Sequence, residues 1–270
     1  MRPLVMGVVN VTPDSFSDGG RYLGGDDALT HALRLARQGA DVLDVGGEST
    51  RPGAEPVTEA DEIARVAPLV AAIRAETDRP ISIDTMKPAV ARAAVRAGAT
   101  MWNDVTALNW SPDAPAVAAE LGCDVVLMHM QGEPRTMQTR PHYDDVVAEV
   151  AAFLAARAEA AMAAGVARER IWLDPGIGFG KTAAHNLTLL AHLDRIVDLG
   201  FPVLVGASRK GFIRTIDPAA KTPTDRLAGS LAIALVAAQA GAAAVRVHDV
   251  RETVQALAVQ AAIGDARAHD

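Results

Sequence analysis

Asp84, Asn103 and Asp174 raise the first chemical question: two carboxylates and an amide, each at the end of a short apolar run. Together they offer several acceptor oxygens and one amide donor group. That set suits the donor-rich edge of an aminopyrimidine-like heterocycle. It would make a poor metal site, because the two acids belong to runs three apart in chain order. Buried polar residues that only satisfy one another are the alternative. A second group, Lys210, Arg246 and His248, carries the charge to hold a phosphate or pyrophosphate. Ordinary exposed charge is the alternative there. Arg246 and His248 are two apart in an extended run, so they share a face.

Two long segments rich in Gly and Pro follow the first two apolar runs. One is Asn10-Val11-Thr12-Pro13-Asp14-Ser15-Phe16-Ser17-Asp18-Gly19-Gly20, and the other is Gly46-Gly47-Glu48-Ser49-Thr50-Arg51-Pro52-Gly53-Ala54. Strand-to-helix loops normally take about 2–6 residues, and longer ones tend to be lids or binding loops. Asp14 and Arg51 bring opposite charges that could pair across a closed site, and Phe16 could exclude water. Such loops suit a reactive intermediate that must be kept from solvent. Two ordinary turns are the plainer reading.

The run Asp174-Pro175-Gly176-Ile177-Gly178-Phe179-Gly180-Lys181-Thr182 invites two misreadings. A P-loop needs Gly six residues before its Lys, where Pro175 stands. A dinucleotide fingerprint needs G-x-G-x-x-G, and this spacing is G-x-G-x-G. The glycines instead let the backbone bend away so that a planar ligand can approach Asp174. Lys181 is expected to be solvated. Met128-His129-Met130-Gln131-Gly132 resembles a soft metal site only superficially, since Met is common in cores. His31, His142, His185 and His192 fall on helix or loop positions and receive no role.

The elements that position these residues repeat as a unit: an apolar run, a polar loop, an alanine-rich helical stretch. Eight units are predicted, with strands at 4–9, 41–45, 81–84, 100–103, 124–129, 171–174, 203–206 and 244–248. Most are continuous apolar runs, the mark of parallel strands buried on both faces. Helices are predicted at 26–38, 58–76, 88–97, 113–121, 143–164, 186–199, 224–240 and 250–263. All but 58–76, which opens with Thr58 and Asp61 at capping-box spacing, end at a glycine, the last at Gly264. Eight such units predict a single α/β domain over 1–270, a (β/α)8 TIM barrel, with an open doubly wound sheet as the alternative. In a barrel, Asn10, Asp44, Asp84, Asn103, His129, Asp174, Ser208 and His248 form one ring at the C-terminal mouth, the usual active face. The loops after strands seven and eight are that fold's common anion site.

Composition narrows the function classes. The 270 residues carry 26 Lys+Arg against 33 Asp+Glu, a net charge of −7, which argues against a nucleic-acid partner. Aromatics are only 4%, too few for base-stacking platforms. The single cysteine, Cys123, excludes an internal disulfide and a CxxC zinc site, and fits a reducing, cytoplasmic setting. The apolar start is shorter than a secretory h-region. The uncharged stretch 227–245 is read as a buried helix, a Gly turn and the start of a strand. No membrane partner is expected.

These motifs, in this order, resemble the dihydropteroate synthase family over nearly the whole chain. The matching strings are Asn10 to Phe16, Glu48 to Ala54, Ile83-Asp84-Thr85, Asn103-Asp104-Val105, Met128 to Gly132, Asp174 to Lys181, Ser208-Arg209-Lys210 and Arg246-Val247-His248-Asp249. The resemblance implies condensation of 6-hydroxymethyl-7,8-dihydropterin pyrophosphate with 4-aminobenzoate, by a dissociative route through a pterin cation. It places Asp84, Asn103 and Asp174 on the pterin edge and Lys210 on its carbonyl side. It gives pyrophosphate to Arg246, His248 and Asn10, with Asn10 also touching Mg²⁺. It assigns Thr50, Arg51, Pro52, Phe16 and Phe179 to the aminobenzoate subsite, and Asp14 to the developing cation. It also implies a homodimer. Two positions depart from the family pattern: Gly211 stands where Ser is common, and Arg214 where Gly is frequent. A pterin methyltransferase domain and a non-catalytic pterin-binding homologue are the rival readings. The first would not need the intact Ser49-Thr50-Arg51-Pro52-Gly53-Ala54 segment, and the second would be expected to have lost residues from both loops.

Overall fold

Each apolar run becomes a strand because its side chains alternate between two dry environments. The computed structural model describes residues 2–11, 23–49, 55–133 and 136–267. Its strands are β1 (Leu4–Asn10), β2 (Val42–Gly46), β3 (Ile81–Asp84), β4 (Met101–Asp104), β5 (Asp124–Met128), β6 (Ile171–Asp174), β7 (Leu204–Val205) and β8 (Ala244–Val247). All pair in parallel, in the order β6-β5-β4-β3-β2-β1-β8-β7. A bridge between Leu173 and Val203 brings the two ends together, so the sheet is a nearly closed barrel. The expected (β/α)8 architecture is therefore observed.

The helices around it are α1 (Leu23–Arg37), α2 (Glu59–Glu76), α3 (Pro88–Arg96), α4 (Ala114–Leu121), α5 (Val146–Ala163), α6 (Ala183–Ala191), α7 (Asp194–Val197), α8 (Ile213–Ile216), α9 (Leu227–Gln239) and α10 (Val250–Arg267). One set of strand positions, including Leu43, Ile83, Trp102, Leu127, Leu173 and Val245, belongs to a core shared with helix residues such as Val70, Ile73, Val90 and Leu154. Burying each such side chain contributes roughly 1.5–3 kcal/mol. The alternate set forms a second cluster of Met6, Val42, Met101, Val126, Leu204 and Ala244, with Trp172 against it. Its six members come from six different strands and Trp172 from a seventh, as expected for a plug filling the barrel.

Local chemistry explains where element ends depart from expectation. Strand β7 shrinks to two residues, and Pro202 just before it has no N–H to give a ladder. Helix α5 starts only at Val146, because the Asp145 side chain caps it by accepting from the N–H groups of Val147 and Ala148, each at 3.0 Å. The 186–199 stretch divides into α6 and α7, and α6 starts early on a capping box between Thr182 and His185. Gly98 stops α3 as expected, at φ +117° where a side chain would be strained. Gly264 does not stop α10, which runs on to Arg267; an interior glycine costs a helix only about 1 kcal/mol. The 227–245 stretch is α9, the Gly241 turn and β8, but α9 is not buried all round. It buries Ser230, Ala234 and Ala237 and exposes Val236. Among the described residues no helix is long and apolar enough to cross a membrane.

Candidate active site

Strand register brings the polar ends to one level. Asn10 lies opposite Gly46, Gly46 opposite Asp84, and Asp84 opposite Asn103. Arg246 starts lower, opposite Met6, and its long side chain extends along the inner face. Its Nε donates to Asp44 Oδ2 at 2.6 Å and its Nη2 to Asp84 Oδ2 at 2.7 Å. Asn103 Nδ2 reaches the same Asp44 oxygen at 3.5 Å. Burial works against the Arg246 charge, yet Asp44 and Asp84 outweigh it and raise its pKa. Asp84 is pushed up to about 7 by burial, against the pull of Arg246 and with Asp44 adding to the push. Sequence reasoning placed Asp44 in the polar ring without giving it a task. The structure makes it the fully buried counter-ion that orients Arg246.

Across the mouth, Asp174 Oδ1 accepts from the Gly176 N–H at 2.7 Å. Its other oxygen lies 3.6 Å from where a Cβ on Gly206 would stand, and that Cβ would be 3.9 Å from Arg246 Cβ. A Cβ at position 206 would thus stand in ordinary van der Waals contact with both. Burial raises Asp174 to about 6, while the Gly176 N–H and Lys210 hold it down. Burial lowers Lys210 to about 8, with Arg246 adding to the effect and Asp174 and Asp84 opposing. Lys210 Nζ lies 3.9 Å above the centre of the Phe179 ring, a cation–π contact. Asp84, Asn103, Asp174, Lys210, Arg246 and Phe179 are therefore one constellation.

The loops after β7 and β8 are tied together. Ser208 Oγ accepts from the His248 N–H at 3.2 Å and lies 3.1 Å from His248 Nδ1. Arg209 holds the left-handed conformation at φ +59°, a strained state for a non-glycine residue. Three contacts keep it there. Its N–H donates to Ser230 Oγ at 2.8 Å, Arg226 donates to its carbonyl at 3.0 Å, and its guanidinium pairs with Asp249. The turn thereby holds Lys210 and His248 on the same rim. Gly211 has nothing within 4 Å of a notional Cβ, so a Ser would fit there. Arg214 is exposed on α8.

Lys181 is a correction. It is 3% exposed, not solvated. Its Nζ lies 2.9 Å from His129 Nδ1 and donates to the carbonyls of Gly176 and Phe179 at 3.0 Å each. Burial lowers it to about 7, and burial together with Lys181 lowers His129 to about 3. His129 is thus a neutral partner that fixes the loop after β6, rather than a charge facing the mouth. Met86, Val105 and Met128 form an apolar patch with Met130 and Phe179 beside them. A cavity of about 590 Å³ opens over that patch and is also lined by Glu48, Ser49, Pro56 and Trp110.

Asp14, Phe16, Thr50, Arg51 and Pro52 lie outside the described residues. Among the described residues no three His, Cys, Asp or Glu side chains converge on a metal position. Asn10 ends β1, its Oδ1 on the Asp84 side of Gly46. One neutral amide oxygen fits a Mg²⁺ whose remaining ligands come from a diphosphate and water, not a dedicated protein cage.

Comparisons with known proteins agree with this geometry. The pterin binding enzyme family model matches residues 6–248. Dihydropteroate synthase of Escherichia coli (strain K12) is 49% identical over 257 residues, covering 95% of this chain and 90% of that protein. A Xanthomonas albilineans dihydropteroate synthase solved with 4-aminobenzoic acid superposes with a TM-score of 0.92 at 54% identity, covering 97% of this chain and 93% of the other. A structure of the enzyme from the same organism in complex with 7,8-dihydropteroate gives 0.89 at 51% identity, with 97% and 94% covered. With its barrel, its acceptor trio and this breadth of similarity, the chain belongs to the dihydropteroate synthase family of pterin-binding enzymes, transferases of a pterin-alkyl group.

Proposed function

We propose that this chain joins 6-hydroxymethyl-7,8-dihydropterin pyrophosphate to 4-aminobenzoate, releasing pyrophosphate and forming 7,8-dihydropteroate. The observation that carries this reading is the constellation of Asp84, Asn103 and Asp174 opposite Lys210 on one barrel mouth. Asp174 and Asn103 accept from the ring N–H groups, and Lys210 donates to the ring carbonyl. Arg246, braced by Asp44, lies against the pterin and shares the pyrophosphate with His248 and Asn10. Asn10 would give one amide oxygen to Mg²⁺, which when bound would neutralise charge on the pyrophosphate. Thr50, Arg51, Pro52 and Phe179 build the aminobenzoate subsite.

The chemistry is dissociative. The C–O bond to pyrophosphate breaks first, the neutral aniline nitrogen then attacks the pterin methylene cation, and the anilinium so formed loses its proton to water. Asp14 stabilises that cation, and Arg51 acts on the same closed state. No enzyme nucleophile is required. The lone Cys123 is buried away from the mouth, and burial holds its thiol up at about 11, where it is not a nucleophile. Catalysis then consists of positioning and preorganised charge. On this reading the 1–270 chain works as one domain, in the cytoplasm, as a homodimer.

Turnover tests the assignment. Purified protein with both substrates and Mg²⁺ should release one pyrophosphate per pteroate formed. Methyl transfer to or from a pterin, or pterin binding without turnover, would replace this reading by one of its rivals. Light scattering in solution checks the dimer.

A further inference from the structure

Lys181 buries an amine that, among the described residues, has no carboxylate as a hydrogen-bond partner. Its three close acceptors are His129 Nδ1 and the carbonyls of Gly176 and Phe179. They match the three N–H groups of an ammonium. Burying a charge is costly even when its donors are satisfied. A methionine of similar length would fill the same space without that cost. The lysine therefore has a role beyond packing, and the residues it holds point to one.

Gly176 donates its N–H to Asp174 Oδ1 at 2.7 Å, and the Phe179 ring carries Lys210 Nζ at 3.9 Å. Between them the Gly178 backbone lies against the Lys210 stem, since a Cβ there would stand 2.9 Å from Lys210 Cδ. The Phe179 N–H donates to the Gly176 carbonyl at 3.1 Å, so the two residues that Lys181 holds form one turn. Other side chains hold different parts of the loop. Asn186 Oδ1 accepts from the Gly178 N–H at 2.7 Å, Gln138 donates to the Gly178 carbonyl at 2.7 Å, and the Tyr143 hydroxyl donates to the Gly180 carbonyl at 2.8 Å. Lys181 is the side chain that donates to the carbonyls of Gly176 and Phe179, the residues next to Asp174 and Lys210. His129 is the fixed end of this pin. Its N–H donates to the Asp174 carbonyl at 2.9 Å, and its ring stands edge-on to Phe153 with centroids 4.9 Å apart.

We infer that Lys181, with His129 as its acceptor, is a positioning residue for the pterin pocket. It pins the turn after β6 so that Gly176 aims Asp174 and Phe179 carries Lys210, and it touches no substrate itself. This rests on the reading that Asp174 and Lys210 grip the pterin.

A double-mutant cycle tests it, read by calorimetry with 6-hydroxymethylpterin. Lys181→Met removes all three contacts and should weaken pterin binding about tenfold or more. In a Lys210→Met background the same change should cost at least threefold less, because part of what Lys181 positions is already gone. In an Asp84→Asn background, on the far wall of the mouth, it should cost the same within twofold. Equal cost in both backgrounds would mark general damage and overturn the inference. So would wild-type affinity in Lys181→Met. A second pair of variants decides the matter if Lys181→Met does not fold. His129→Leu keeps bulk without an acceptor, whereas His129→Asn keeps an acceptor near the place of Nδ1 and loses bulk. Pterin affinity should fall about fivefold or more in the Leu variant and stay within threefold of wild type in the Asn variant. The opposite order would make the pair mere packing and refute the proposal. A wild-type protein that binds no pterin would instead refute the underlying reading.

Discussion

Replacing Asp174 by Asn should weaken pterin binding and, in the ligand-free protein, favour the fold as pH rises. The Gly176 N–H sits 2.7 Å from Asp174 Oδ1 and needs an acceptor. In the variant it will take the amide oxygen, which turns the amide NH₂ toward the position of Oδ2. A ring N–H then meets a donor. One or two hydrogen bonds to a charged acceptor are lost or reversed, costing roughly 2–4 kcal/mol. That is a loss of about 30- to 1,000-fold in affinity. The second effect comes from burial, which raises the wild-type carboxyl from 3.8 to about 6. The folded value lies above the unfolded one, so the fold penalises the charged form. The penalty is absent below the unfolded pKa and complete above the folded one, reaching on the order of 3 kcal/mol at neutral pH. Asparagine carries no such penalty, although its bond to Gly176 is weaker. The stability of the variant relative to wild type should therefore improve as pH rises from about 4 to 7. Calorimetry with a pterin ligand and urea unfolding across that range read the two effects separately. Pterin affinity within threefold of wild type would refute the acceptor role, and a stability difference flat with pH would refute the electrostatic reasoning.

Asp14→Ala should lower turnover by on the order of 10²-fold with little change in pterin titration, because in the proposed mechanism the group acts as the cation forms. Severe loss of pterin affinity with normal turnover would reassign it. Aminobenzoate should bind weakly to the free protein and tightly only with pterin, pyrophosphate and Mg²⁺ present; equal affinity by calorimetry would mean a preformed subsite. Asp44→Asn strips Arg246 of one of two counter-ions. Since Asp84 remains 2.7 Å away, the stability loss by urea unfolding should fall toward the lower end of the roughly 3–5 kcal/mol seen when a buried pair is broken. Gly176→Ala should lower stability by roughly 2–4 kcal/mol and weaken pterin binding, because φ is +65° and the new Cβ would meet the His129 carbonyl oxygen at 1.9 Å. Wild-type values in unfolding and titration would contradict that.

The barrel was legible because local cues agreed with the global fold. Apolar runs mark the strands, and Gly98 ends α3 just before the next strand begins. Asp84, Asn103 and Asp174 stood out because a polar residue closing an apolar strand sits at the barrel mouth. What stayed hidden depends on contacts distant in sequence. Asp44 and Arg246 are 202 residues apart, and only barrel closure makes them a pair. Lys181 reads as solvated beside its glycines, because its acceptors come from two loops folded over it. Glu62 is one acid among several on α2, and only the packing of α2 against α3 makes it the buried partner of Lys87. Gly264 misled because an exposed helix tolerates a glycine that nothing else requires to turn.

The strand ring is unequal around its circumference. Between β6 and β7, among the described residues, it is stitched by the Leu173–Val203 bridge and a 2.9 Å bond from the Leu173 N–H to the Pro202 carbonyl. Elsewhere, neighbouring strands share longer ladders, such as the five paired positions of β1 and β2. Asp174 stands on one bank of this seam and Lys210 on the other. In the proposed binding mode, a rigid bicyclic ligand gripped by both becomes a rivet across the weakest joint of the cylinder. Occupancy and cylinder integrity are then linked, since a ligand that prefers the closed ring suppresses its opening. Amide exchange at Leu173 should slow when the site fills, while exchange along β1 and β2 should scarcely change.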